Sequence, residues 1–126
     1  MPDHPNAALI RRSLESFNEG GLEAMAELLA DDVKWHEIGG TEPIHGKQAL
    51  ADRYAGDTPP DFEIQADIHD VVANDDHAIA LVEATAKRGG RTFKYRTAEI
   101  FHIRNGKIAE RWAFSDDTAA INEFFS

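Results

Sequence analysis

The chain reads as an α+β domain on three observations. Apolar residues recur at helical spacing in its first quarter and at its tail. Alternation of period two fills most of residues 62–115, and two short glycine loops, Gly89-Gly90 and Asn105-Gly106, join strand-like runs. With 126 residues, 42% of them hydrophobic and 29% charged, the sequence suffices for one well-buried core. It contains no linker, repeat or low-complexity segment, so residues 1–126 are expected to form a single domain.

In order, Ile10, Leu14 and Phe17 mark a first helix after a possible Asn6 cap, stopped by Gly20-Gly21. Leu22, Met25, Leu28 and Leu29 mark a second that ends near Asp31-Asp32. From Val33 the period changes to two, which puts Val33, Trp35 and Glu37 on one side of a strand and Lys34, His36 and Ile38 on the other. Ala49, Leu50 and Tyr54 suggest a short helix from about Lys47 to Tyr54, broken by Gly56 and Pro59-Pro60. Strands follow from about Phe62 to Ala73, Ala78 to Arg88, Arg91 to Arg104 and Lys107 to Ser115. Asp116-Asp117 then ends the last strand and caps a helix carrying Ile121, Phe124 and Phe125.

The two tight loops fix register. With Arg88 opposite Arg91, Ala86 meets Phe93, Ala84 meets Tyr95, Val82 meets Thr97, Ala80 meets Glu99 and Ala78 meets Phe101. Small residues oppose large ones, so this is the inner face of a sheet curled around a cavity. The other face pairs Glu83 with Arg96, Thr85 with Lys94 and Ile79 with Ile100. Exposed apolar residues there, Ile79, Leu81, Ala98 and Ile100, predict a homodimer. In the second hairpin, a straight ladder sets Phe101 opposite Glu110, Glu99 opposite Trp112, Thr97 opposite Phe114 and Tyr95 opposite Asp116, unless a one-residue bulge intervenes.

Glu99 is the only charge on the inner face of its strand, and a carboxylate taken out of water without a partner is costly. Ringed by aromatics, with Glu110 on the diagonal, it is expected to be a neutral proton donor. Its bland alternative is a structural carboxylate held by a backbone amide or the Trp112 indole. Glu37 is a candidate base, desolvated by Val33 and Trp35, or else a rim glutamate. Trp35, Tyr54, Tyr95, Phe101, Glu110, Trp112 and Phe114 are candidates to line a pocket for a small apolar organic ligand, although aromatics at strand period also serve as plain core.

Exclusions come from composition. Asp and Glu outnumber Lys and Arg by 23 to 13, for a net charge of −10, which disfavours nucleic acid and anionic membranes as partners. No run approaches the roughly 20 apolar residues of a membrane span, and a cytoplasmic location is the default expectation. Cysteine is absent, the six histidines have no ligand-like spacing, and neither a phosphate loop nor a nucleophile elbow occurs. No metal and no cofactor are expected.

The stretch Ala30-Asp31-Asp32 through Glu37 to Pro43-Ile44-His45-Gly46 resembles bacterial ketosteroid isomerases, within the SnoaL-like and NTF2-like superfamily of cone-shaped α+β folds. A looser likeness extends over nearly the whole chain. The resemblance implies a curved, mostly antiparallel sheet wrapped around a pocket under N-terminal helices. It also implies a proton-shuttling base at Glu37 and a protonated acid at Glu99. Ketosteroid isomerase is itself a well-known example of one ionised base beside a carboxylic acid kept neutral by an apolar site. The family's oxyanion-binding tyrosine falls near Ser13, and no tyrosine precedes Tyr54. Three functions therefore stay open: proton transfer on an apolar carbonyl substrate, a SnoaL-like cyclase or epoxide-hydrolase-like activity, and a non-catalytic ligand-binding or interaction module.

Overall fold

The computed structural model describes residues 4–38, 42–54 and 62–125, and at positions 22, 53, 54 and 125 only the backbone. Helix α1 (Pro5–Met25) starts with proline at its first turn and is capped by His4, whose Nδ1 accepts from the Asn6 amide at 3.1 Å. Asn6 is not the cap; its side-chain amide donates instead to the Asn74 and Asp75 carbonyls. Gly21 (φ 73°, ψ −161°) breaks the helical path, so the expected helix pair is one kinked element in which glycine takes a conformation closed to L side chains. A single 3-10 turn, Ala26–Leu28, replaces the end of the expected second helix.

Strand β1 (Leu29–Trp35) starts four residues before Val33 and stops two before Glu37. It pairs with a two-residue strand β2 (Ile44–His45) that periodicity alone could not show. Helix α2 (Lys47–Tyr54), β3 (Phe62–Ala73), β4 (His77–Arg88), β5 (Arg91–Arg104) and β6 (Lys107–Ser115) lie where the pattern puts them, within a residue. Helix α3 (Thr118–Phe125) is capped by Asp117, whose Oδ1 accepts from the Ala120 amide at 3.0 Å.

The strands form one open curved sheet in the order β2-β1-β6-β5-β4-β3, antiparallel except where β1 runs parallel to β6. Helix α1 packs across β3 and β4. Ile10 and Leu14 join Val33, Leu50, Val71, Ala80, Phe101 and Ile108 in the core between helix and sheet. Asn18 ties this helix to the sheet edge, donating to the Ala66 carbonyl at 2.7 Å and accepting from its amide at 2.9 Å.

The β4–β5 register is the expected one at every pair, from Arg88 opposite Arg91 to Ala78 opposite Phe101. The β5–β6 register is not. Ile103 faces Ile108 as expected, but His102 faces Glu110, so Ala109 is an extra residue in β6. Beyond it Phe101 opposes Arg111, Ile100 opposes Trp112, Glu99 opposes Ala113 and Ala98 opposes Phe114. One inserted residue reverses every later side chain, because sheet faces alternate with period two. Ile108 and Ala109 are consecutive and both buried, which a straight strand cannot arrange.

Candidate active site

Glu99 remains on the inner face and is 7% exposed, but its surroundings differ from expectation. The bulge takes Trp112 and Glu110 away from it and brings Arg111 inward from β6. Arg111 donates to Glu99 Oε1 twice, from Nη2 at 2.7 Å and from Nε at 3.1 Å. Its remaining Nη1 donates to the His36 carbonyl at 2.9 Å, and its guanidinium lies 4.6 Å above the buried Trp35 ring. The side chains of Arg111 and Glu99 are 12% and 10% exposed. This is a buried, multiply hydrogen-bonded ion pair, and the apolar, like-charged setting on which a neutral Glu99 rested is absent.

Both Arg111 bonds land on one carboxylate oxygen, and Oε2 accepts no hydrogen bond among the described residues. Two residues along the same face, the Thr97 hydroxyl is buried and likewise has no partner among the described residues. Tyr95 follows at the next inward position. Burial pushes its phenol above the ordinary value of 10.0, and the nearby Glu99 charge pushes it the same way, against a smaller opposing effect of Arg111. Tyr95 therefore keeps its proton at neutral pH and can donate it in a hydrogen bond.

The other candidates divide by face. Trp35 and Phe101 are inside, Trp35 beneath the guanidinium and Phe101 at 1% exposure in the core against the helices. Glu110, Trp112 and Phe114 are on the outer face, contrary to their expected place in the pocket. Glu110 pairs with His36 Nε2 at 2.7 Å, Trp112 stacks on the same imidazole with ring centroids 5.4 Å apart, and Phe114 is 60% exposed. Glu37 follows directly after the carbonyl that Arg111 holds, past the end of β1, and is partly buried. The Tyr54 side chain lies outside the described residues. Ser13 is fully buried, and its hydroxyl donates back to the Ile10 carbonyl at 2.8 Å, a bond internal to the helix. Two cavities open elsewhere, at the β4–β5 turn and around His69 and Leu81, and neither borders Glu99.

Sequence reasoning misses Arg111 and Thr97 as site residues. A signal for Arg111 exists: placing the bulge at the consecutive apolar pair Ile108-Ala109 brings a positive charge to the unexplained negative one.

The SnoaL-like domain family matches residues 10–111. The chain belongs to this SnoaL-like family. No curated protein matches it. A protein from a soil-derived mobile gene cassette is similar over 97% of both chains, with 27% identity and a TM-score of 0.79. A proposed ketosteroid isomerase from Kribbella flavida shares 20% identity over 90% of this chain and 78% of its own, with a TM-score of 0.70. An M. tuberculosis LEH-like epoxide hydrolase shares 17% identity over 89% of this chain and 83% of its own, with a TM-score of 0.72. The architecture that this SnoaL-like chain shares with its structural neighbours is the NTF2-like one.

Proposed function

We propose that this SnoaL-like chain is a small-molecule enzyme that transfers a proton on a largely apolar carbonyl substrate. The observation that carries the reading is the asymmetric hold of Arg111 on Glu99. A guanidinium fixes one oxygen and orients the carboxylate, leaving Oε2 as a proton acceptor. This changes the role of Glu99 from the expected donor to acceptor. Tyr95, kept protonated by burial, is the donor toward the enolate oxygen, in place of the helix-one position where Ser13 is committed to its own helix. Glu37 is the second carboxylate, at the end of β1, and passes the proton onward.

The test is exchange in heavy water. A panel of cyclic ketones is incubated with the protein, and deuterium entry at the carbon beside the carbonyl is followed by NMR. Glu99→Gln should slow exchange by about a hundred-fold or more, with Tyr95→Phe and Glu37→Gln causing smaller losses. Glu99→Asp, which keeps the charge for Arg111, checks that the loss is not one of folding. Full exchange by a folded Glu99→Gln protein refutes the assignment.

The unpartnered Thr97 hydroxyl favours a second reading, hydrolytic chemistry, because a water held between Thr97 and Glu99 Oε2 would be a nucleophile. Oxygen-18 from labelled water appearing in the product of an epoxide panel, without deuterium exchange of ketones, selects it over proton transfer.

A further inference from the structure

The segment from Ala84 to Ala98 carries Lys87, Arg88, Arg91, Lys94 and Arg96, five of the chain's 13 Lys and Arg, and no acid, although the net charge is −10. Proton transfer at Glu99 uses none of them. The register places three around the β4–β5 tip, Lys87 beside Thr92 on one face of the hairpin and Arg88 beside Arg91 on the other, with the Gly89-Gly90 turn between them. A cavity of about 470 Å³ opens there, bordered by Lys87, Arg88, Arg91, Thr92 and the two turn glycines, with Glu63 and Phe62 at its β3 side.

Two of the guanidinium groups are held in place from one side. Arg88 Nη1 donates to the Phe124 carbonyl at 2.8 Å, and Arg91 lies 5.0 Å from the centre of the Phe124 ring. Arg96, by contrast, is paired with Asp116, and Arg104 with Asp32. Neither Lys87 nor Arg91 forms an ion pair among the described residues. Arg88 and Arg91 face each other across the turn, and like charges there repel.

We propose that the β4–β5 tip is a binding site for the compact oxyanion, phosphate or carboxylate, of a small molecule, held by Lys87, Arg91, the Thr92 hydroxyl and the amides of Gly89 and Gly90. Both glycines have positive φ, 55° and 80°, as this tight turn requires, so their amides are not needed for the strand ladder. An extended polyanion would meet the acidic remainder of the surface, whereas a compact anion meets only the tip. Eight residues of β5 separate Arg91 from Glu99, roughly 27 Å along the strand, so this is a second site and not a subsite for a small ketone. Glu63 opposes an anion and limits its affinity.

Amide spectra of the isotope-labelled full chain decide the matter, recorded during titration with inorganic phosphate, pyrophosphate or acetate at ionic strength held constant with sodium chloride. Saturable shifts confined to residues 87–92 are expected, with Lys87→Gln and Arg91→Gln each weakening binding about ten-fold and Glu63→Gln tightening it. The stronger of pyrophosphate and acetate identifies the oxyanion class. Lys87 and Arg91 are exposed, so both variants should retain the wild-type spectrum. Shifts that never saturate, match those of chloride, or persist unchanged in both variants overturn the proposal, whatever the outcome of the ketone experiments.

Discussion

Arg111 sits one diagonal step from Glu99 across the β5–β6 ladder and binds a single oxygen of its carboxylate, with Nη2 at 2.7 Å and Nε at 3.1 Å. Its third nitrogen reaches across to the His36 carbonyl, so one side chain joins β5, β6 and the end of β1. Removing either charge strands the other in a site about one-tenth exposed. Arg111→Leu is therefore expected to cost about 3–5 kcal/mol of unfolding free energy. The double variant Arg111→Leu with Glu99→Leu should recover much of that loss, and a denaturant double-mutant cycle measures the coupling. Additive losses would show that the pair does not act as a unit.

The bulge at Ala109 makes that pairing possible. With Ala109 deleted, a straight ladder keeps Phe101 opposite Arg111 and Glu99 opposite Ala113, so Trp112 stays outside and the Arg111–Glu99 pair survives. Only the buried Ala109 methyl and the local twist are lost, so a modest fall in melting temperature with unchanged tryptophan emission is the expected result. A large shift of tryptophan emission in the deletion variant would contradict the assigned register.

Tyr95 links the site to pH. Its pKa is raised in the folded protein, so its contribution to stability is complete below the unfolded value near 10 and is lost as pH rises through the higher folded value. Above pH 10 the wild type should lose stability with a slope that Tyr95→Phe reduces. Equal slopes in urea titrations across that window would show that the phenol is not buried.

The outer face carries a stripe two rows wide. Val72, Ile79, Ile100 and Trp112 align across β3 to β6, and Leu81, Ala98 and Phe114 align beside them. Val72, Ile79, Leu81 and Phe114 are among the exposed large apolar residues. Packing this stripe against a second copy is expected, since a self-complementary patch closes as a two-fold dimer. Sedimentation should report a dimer that Leu81→Lys with Phe114→Glu converts to monomer; a wild type that stays monomeric at high concentration rules the dimer out.

The β4–β5 hairpin is legible in full because a two-residue turn leaves no freedom of register. The second hairpin has an equally clear turn at Asn105-Gly106, and its straight reading holds only as far as Ile103 opposite Ile108. Strand limits from Phe62 to Ser115 follow from local alternation. The kink at Gly21 can be placed but its continuity with the first helix cannot, since neither side of the break differs in helical spacing.

The sequence by itself determined an α+β chain with four long strands, the inward position of Glu99, and its SnoaL-like character. The first two depend on local periodicity and on two-residue turns whose positive φ glycine accepts, the third on the resemblance of the stretch from Ala30 to Gly46. Only the tertiary structure decided what Glu99 meets. A bulge costs little locally and is selected by contacts from distant strands: the core accepts Ile108 and Ala109 together, and a guanidinium settles between Glu99, Trp35 and the end of β1. That parity change exchanged a ring of aromatics for an ion pair.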